Sequence, residues 1–168
     1  MSEKQMLVFD CETNGLIHDV STIHCIAIYD SQTEKTNVFN NQGGDCYPIT
    51  EALHWLTSAD VIIGHNILGY DLPVLRKIYP WFEFNGDVLD TLVLSRLYHP
   101  NMMEIDKRRN VPRMPMQLYG RHSLEAYGYR LGAVSYTHLR AHETPAHRGS
   151  RIQDEKKRGG GGGGGGGG

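Results

Sequence analysis

The sequence predicts an α/β domain: a mixed five-stranded sheet flanked by helices, incomplete at the C-terminus. Three observations lead there. Short apolar runs bounded by turn residues recur at residues 6–9, 23–29, 36–39, 60–64 and 88–89. The first three are joined by short polar turns, which implies antiparallel neighbours, whereas the later runs are reached through helical stretches. The resulting order, β-β-β-α-β-α-β-α, is that of a mixed sheet with helices packed on it.

Each element has its own local signal. Met6-Leu7-Val8-Phe9 runs without interruption into Asp10-Cys11-Glu12-Thr13 and then into a turn at Asn14-Gly15. A continuous apolar run of this kind reads as a central strand buried on both faces. Residues 23–29 and 36–39 form the second and third strands, on either side of a polar turn at 30–35. Ile49, Ala52, Leu53 and Leu56 fall at i, i+3, i+4 and i+7, the spacing of an amphipathic helix. The run at 60–64 follows that helix and is therefore expected parallel to the first strand. A helix is expected over 72–79, with Pro73 in its first turn. Val88-Leu89 gives a brief strand, and Asp90 is placed to cap a helix over 91–98. Residues 99–119, with their prolines, methionines and the basic group Lys107, Arg108, Arg109 and Arg113, read as a long surface loop. Residues 123–131 read as a last helix, N-capped by Ser123, ended by Gly132, with Leu124, Tyr127, Gly128 and Leu131 on one face.

The chain changes character after residue 133. Residues 134–144 read VSYTHLRAHET, the translation of a transposase-type sequencing adapter, and residues 159–168 are ten consecutive glycines. The domain is accordingly assigned to residues 1–133, and 134–168 is expected to be a non-native, disordered tail. Residues 1–133 carry 11 Lys and Arg against 16 Asp and Glu, a net charge of −5. That balance argues against nucleic-acid binding through bulk charge but leaves room for binding through metal ions at one strand end. No run is long enough to span a membrane, and no signal peptide precedes the first strand. Three cysteines, Cys11, Cys25 and Cys46, match no disulfide or metal spacing, which favours a reduced, cytoplasmic setting.

Two sites carry chemistry. Alternation along the first strand places Asp10 and Glu12 on one face at its carboxyl end, where two carboxylates repel unless a cation lies between them. An acidic loop after a strand has the same appearance. The second site, His65-Asn66-Ile67-Leu68-Gly69-Tyr70-Asp71, directly follows the strand expected beside the first, and ligands in open α/β sheets bind at that edge. Asp71 taken alone reads first as a helix N-cap, and His65 reads as a satisfied polar residue rather than a ligand.

Together these sites resemble the first two motifs of the DEDD (DnaQ-like) 3′–5′ exonucleases: D-x-E at Asp10 and Glu12, then Asn66 with Tyr70 and Asp71. DTLVLSRLYH at 90–99 and HSLEAYGYRLG at 122–132 are similar to the proofreading domain at the amino end of T-seven-like phage polymerases of family A. The resemblance implies a ribonuclease-H-like fold and a two-metal exonuclease using Mg²⁺ or Mn²⁺. In it Asp10 bridges both ions, Glu12 binds the ion carrying the attacking water, and Asp71 holds the other through water. It also implies that Thr13 and Leu16 lie at the 3′-terminal nucleotide, with Asn66 and Tyr70 positioning the strand; Thr13 and Leu16 read equally as turn and core residues. The partners implied are a single-stranded 3′ end of DNA and a polymerase domain in the same full-length chain, in the cytoplasm of a host cell if phage-encoded. Lys107 to Arg113 are candidates for phosphate contacts, a solvated loop being the alternative. The family's third motif, Y-x-x-x-D, is not found in residues 1–133, so the polypeptide as written is expected to be inactive. The alternatives are a free-standing DEDD exonuclease acting on RNA or oligonucleotides, and a catalytically dead nucleic-acid-binding module.

Overall fold

The computed structural model describes residues 4–43 and 46–133; the adapter-like and glycine stretch lies outside the described residues. Five strands, β1 (Met6–Thr13), β2 (Ile23–Asp30), β3 (Lys35–Asn40), β4 (Val61–Gly64) and β5 (Asp87–Asp90), form one mixed sheet in the order β3-β2-β1-β4-β5. β1, β2 and β3 are antiparallel neighbours, and β4 and β5 add in parallel beside β1. This is the expected arrangement. It follows from tight turns on one side of β1 and helical crossovers on the other.

The main core forms where the helices α1 (Ile49–Ser58) and α2 (Asp71–Ile78) meet the sheet. Ile49, Ala52, Leu53 and Leu56 of α1 are all fully buried, as their spacing requires. They join Leu7 and Phe9 of β1, Ile26 and Ile28 of β2, Phe39 of β3, and Leu72, Val74 and Leu75 of α2. Phe39 meets Trp55 edge-on at 5.3 Å between ring centres, the orientation favoured by aromatic quadrupoles.

Three expectations are corrected. First, β1 is not buried on both faces. Its burial alternates strictly from Met6 to Cys11: Leu7, Phe9 and Cys11 are inside, whereas Met6 is exposed and Val8 keeps 38% of its surface. Tyr29, Val38 and Leu89 of neighbouring strands are exposed as well. Among the described residues the helices cover one face of the sheet more fully than the other.

Second, residues 99–119 are not a loop. They contain α4 (Met102–Arg109), which follows α3 (Thr91–Tyr98), and a short 3-10 turn at Met116–Leu118. With α5 (Leu124–Leu131) they enclose a second small core of Val111, Met114, Leu118 and Ala126. Its centre is ionic. Asp106 is fully buried and receives two hydrogen bonds from Arg130, at 2.8 and 2.7 Å, and one from the Gly120 backbone at 2.8 Å. Arg130 also donates to the Arg121 carbonyl and lies over the Tyr127 ring, while its Nη1 is buried without a hydrogen-bond partner. Lys107, Arg108 and Arg109 occupy the last turn of α4, where cations oppose the helix dipole favourably.

Third, α5 does not bury the apolar face read from its sequence. Leu124 and Leu131 are exposed, and Ala126 is the buried residue. The Arg130–Asp106 pair turns that side of the helix inward. Its predicted ends hold: Ser123 Oγ accepts from the Ala126 N–H, and Gly132 adopts a left-handed φ of 62°.

Breaking a buried ion pair from one side leaves an uncompensated charge, which typically costs about 3–5 kcal/mol. Asp106→Ala is therefore expected to lower stability by roughly that amount in urea unfolding. The double variant Asp106→Leu/Arg130→Met should recover most of the loss; a neutral Asp106→Ala would contradict the reading.

Candidate active site

β1 pairs with β2 along almost its whole length, from Leu7↔Asp30 to Thr13↔Ile23. On its other side it pairs with β4 only at Met6↔Val61, Leu7↔Ile62 and Val8↔Ile63. Past that point the strands part. Gly64 marks the fork, because a β-carbon there would lie 2.8 Å from the Phe9 carbonyl oxygen and 2.2 Å from Ile67 Cγ2. Both distances are impossible for a real side chain, so glycine is required for the close approach.

Asp71 fills the opening. The Cys11 N–H, which has no partner on β4, donates to Asp71 Oδ1 at 3.1 Å. Asp71 is the first residue of α2 and is only 3% exposed. The N-cap alternative is thereby corrected: the cap residue is Tyr70, no side chain caps the helix, and the carboxylate is turned to β1 instead. Burial, and then the charge of Asp10, push the Asp71 carboxyl up to about 6. Asp10 and Glu12 lie on the same face of β1, as alternation demands, with Asp10 exposed and Glu12 half-buried. Asp10 and Asp71 are thus electrostatically coupled, while Glu12 stands beside Cys25 of β2, its register partner. Among the described residues no three His, Cys, Asp or Glu side chains converge into a metal-holding group. The donor chemistry nonetheless fits a hard cation, since two acidic oxygen donors repel each other there and a divalent ion would relieve both.

The remaining candidates surround this pair. Tyr70 donates its hydroxyl hydrogen to the Gly15 carbonyl at 2.5 Å and shares a very short hydrogen bond with Thr13 Oγ1. The turn after β1 is thereby fastened to the start of α2. Lys77 grips the same turn through the carbonyls of Ile17 and His18, at 3.0 and 2.9 Å. Asn14 closes its other side, accepting from the Ser21 and Thr22 N–H groups. Leu16 projects from this braced turn with 53% of its surface exposed. Asn66 has a left-handed φ of 66°, and its side chain folds over Gly69, where a β-carbon would meet Asn66 Oδ1 at 2.6 Å. Its visible task is to form the turn that leads to Tyr70. His65 is half-buried, shares a 2.9 Å hydrogen bond with Thr91 Oγ1, and is held below its usual pKa chiefly by burial. An open depression of about 370 Å³ lies over Val8, Asp10, Ala27 and His65 on the less covered face of the sheet.

Lys77 and the non-capping bonds of Asp90 were not legible in the sequence. Asp90 does cap α3 through the Leu92 and Val93 N–H groups, but it also accepts from Asn66 and Leu68, residues 24 and 22 positions earlier. Burial opposes its ionisation, and these four donors together still hold it below the ordinary carboxylate range. Only the parallel pairing of β4 with β5, which sets Gly64 opposite Asp90, brings the two segments together.

A mixed sheet with paired acids where two parallel strands part defines a class of folds rather than one activity. The chain belongs to the RNase_H superfamily, whose family model matches residues 7–123. It is 35% identical over 138 residues to DNA-directed DNA polymerases of Escherichia phage T7 and Enterobacteria phage T3, covering 77% of this chain and 19% of each relative. The chain thus spans about a fifth of the length of these curated relatives. Among solved structures, it is similar to E. coli exonuclease I in complex with a dA16 oligonucleotide (TM-score 0.45, 17% identity, 60% of this chain and 31% of that one). It is also similar to the family B DNA polymerase of Pyrobaculum calidifontis (TM-score 0.42, 15% identity, 82% and 22%).

The raised Asp71 carboxyl has a definite consequence for stability. A carboxyl held at about 6 when folded but near 3.8 when unfolded binds its proton more tightly in the fold. Its contribution is fully present below pH 3.8 and is lost as pH rises through 6, a change on the order of 2–3 kcal/mol. Asp71→Asn keeps an acceptor for the Cys11 N–H and removes the charge. In metal-free buffer the variant should be more stable than the parent at pH 7.5, and the gap should vanish near pH 4. Urea midpoints across that range measure it, and a less stable variant at pH 7.5 would refute the assignment.

Proposed function

We propose that this chain is the front part of a metal-dependent 3′–5′ exonuclease that hydrolyses the terminal phosphodiester of a DNA strand, proofreading within a longer DNA polymerase. The observation that carries the reading is the buried Asp71 carboxylate set against Asp10 in the gap between β1 and β4. It is supported by the relation to phage DNA polymerases over most of the chain. Asp10, Glu12 and Asp71 are the proposed catalytic and metal-binding residues. Two divalent cations, Mg²⁺ or Mn²⁺, would supply activation of water and stabilisation of the leaving 3′ oxygen.

The chain's own residues do the rest. The Cys11 N–H holds the Asp71 carboxylate in place at the fork of the strands. Asp71 is buried while Asp10 is open to solvent, and the repulsion between the two favours a cation beside them. Leu16, exposed on a turn braced by Tyr70, Lys77 and Asn14, offers an apolar edge for the terminal base. Thr13 stands beside it through its hydrogen bonds to Tyr70 and Gly15, and Asn66 and Tyr70 position the strand. The proposed partners are a single-stranded 3′ end of DNA and a polymerase domain in the longer chain. The proposed location is the cytoplasm, of a host cell if the gene is a phage's. No helix among the described residues is long and apolar enough to cross a membrane.

The 168-residue polypeptide carries no Y-x-x-x-D, and we propose that the fourth carboxylate of the site is supplied in the longer protein. That longer protein should shorten a single-stranded oligonucleotide from its 3′ end in Mg²⁺. Asp10→Ala, removing a proposed metal donor outright, should cost more than the roughly 10–100-fold that loss of a ligand's supporting partner costs. The 168-residue chain should show little cleavage in the same assay; robust cleavage by it, abolished by Asp10→Ala, would overturn the incomplete-site reading. Binding to the native state alone raises stability by about 2.7 kcal/mol at 100 times Kd. Mn²⁺ should accordingly raise the Tm of the 168-residue chain at pH 7.5 but not that of Asp71→Asn. Equal shifts in both would place the ion elsewhere.

A further inference from the structure

We propose that Asp90, beyond capping α3, is a positioning residue for the site: its carboxylate pins the β4–α2 turn and thereby sets Tyr70 and Asp71 against β1. The inference rests on the reading of Asp71 as a metal donor and extends it to a residue outside the acidic motifs.

A helix N-cap needs one side-chain oxygen that accepts from the N–H of the second or third helical residue. Asp90 Oδ1 takes the Leu92 and Val93 N–H groups at 2.9 and 3.3 Å, which satisfies that need. It then accepts a third donor, the Asn66 N–H, at 2.9 Å, while Oδ2 accepts the Leu68 N–H at 3.0 Å. Thr91 reinforces the attachment, since its Oγ1 donates to the Gly64 carbonyl at 3.1 Å and also bonds His65. The turn from Gly64 to Leu68 therefore hangs from the β5–α3 junction, and Asp90 itself is 4% exposed.

Asn66 within that turn is left-handed, a conformation that asparagine adopts more readily than other residues with a side chain. Its carbonyl accepts both the Gly69 and Tyr70 N–H groups at 3.0 Å, and the Ile67 carbonyl accepts the Leu72 N–H at 2.9 Å. A continuous set of bonds thus runs from Asp90 through Asn66 to Tyr70, whose hydroxyl reaches Gly15, and to Asp71, whose carboxylate reaches Cys11. Charge matters as well as shape, because four donors converge on one carboxylate and charged acceptors bond more strongly.

The two tasks of Asp90 separate by substitution. Asp90→Ser retains a preferred helix cap but is one bond too short to reach Leu68. Asp90→Asn keeps the size, yet one arm becomes an NH₂ group that cannot accept from Leu68. Both variants are made in the 168-residue chain. Amide hydrogen exchange and Mn²⁺-induced NMR broadening at Asp10 and Glu12 are the readouts. The expected result is an intact α3, unchanged protection in the β1–β2 ladder, at least tenfold faster exchange at Leu68 and Cys11, and about tenfold weaker Mn²⁺ binding. Parent-like Cys11 exchange and Mn²⁺ affinity in a folded variant would reduce Asp90 to a helix cap and overturn the proposal. Should Asp90→Ser fail to fold, Asp90→Asn decides. If the parent binds no Mn²⁺ at all, the metal reading of Asp71 fails, while Cys11 exchange still tests whether Asp90 positions it.

Discussion

The structure turns on one hydrogen bond, from the Cys11 N–H to Asp71. Parallel strands that stay together satisfy their own backbone groups. Strands that separate leave donors and acceptors stranded, and a buried unsatisfied N–H costs on the order of 1–3 kcal/mol. β1 and β4 separate after Val8 and Ile63, and the Asp71 carboxylate takes the place of the missing strand. One side chain therefore does two things. It closes the sheet's hydrogen bonding where the strands diverge, and it holds an acid in a dry place beside Asp10, where its proton affinity rises. The raised proton affinity and the closure of the sheet depend on one carboxyl group, and ionising it near neutral pH costs stability.

Around that bond the supports are arranged by distance in sequence. Short-range bonds shape the turn after β1, where Asn14 ties Ser21 and Thr22. Long-range bonds fix it to the rest of the domain: Tyr70 to Gly15, Lys77 to Ile17 and His18, and Asp90 to Asn66 and Leu68. The residues touching the site from three directions all arise at element ends, where backbone groups need partners and side chains are free to reach.

How much of this the sequence discloses depends on the kind of interaction. Elements made by apolar periodicity were legible: α1 from Ile49, Ala52, Leu53 and Leu56, and the parallel course of β4 from the helix before it. So was the shared face of Asp10 and Glu12, since alternation alone sets it. Two-sided burial of β1 failed because an apolar run states what can be buried rather than what covers it. α4 was missed because its buried positions, Met102 and Asp106, are one apolar residue and one acid a turn apart. A hydrophobic pattern cannot register a helix whose inward face is held by a carboxylate meeting Arg130 from 24 residues away. Asp71 and Asp90 could be proposed as acids at element ends, but their partners lie across strand pairings that no local window contains.

The fork at Gly64 carries one more implication. The hydrogen atom that stands in place of a side chain there is the least reactive group in the site, and it allows β4 to come within contact of the Phe9 carbonyl before turning away. A single added methyl group would act as a wedge at the hinge point, prising the strands apart one residue too early and spoiling the register in which Asp71 meets Cys11. A position with no chemistry of its own thus governs where the acids stand, and they could be lost in effect while remaining present in the chain.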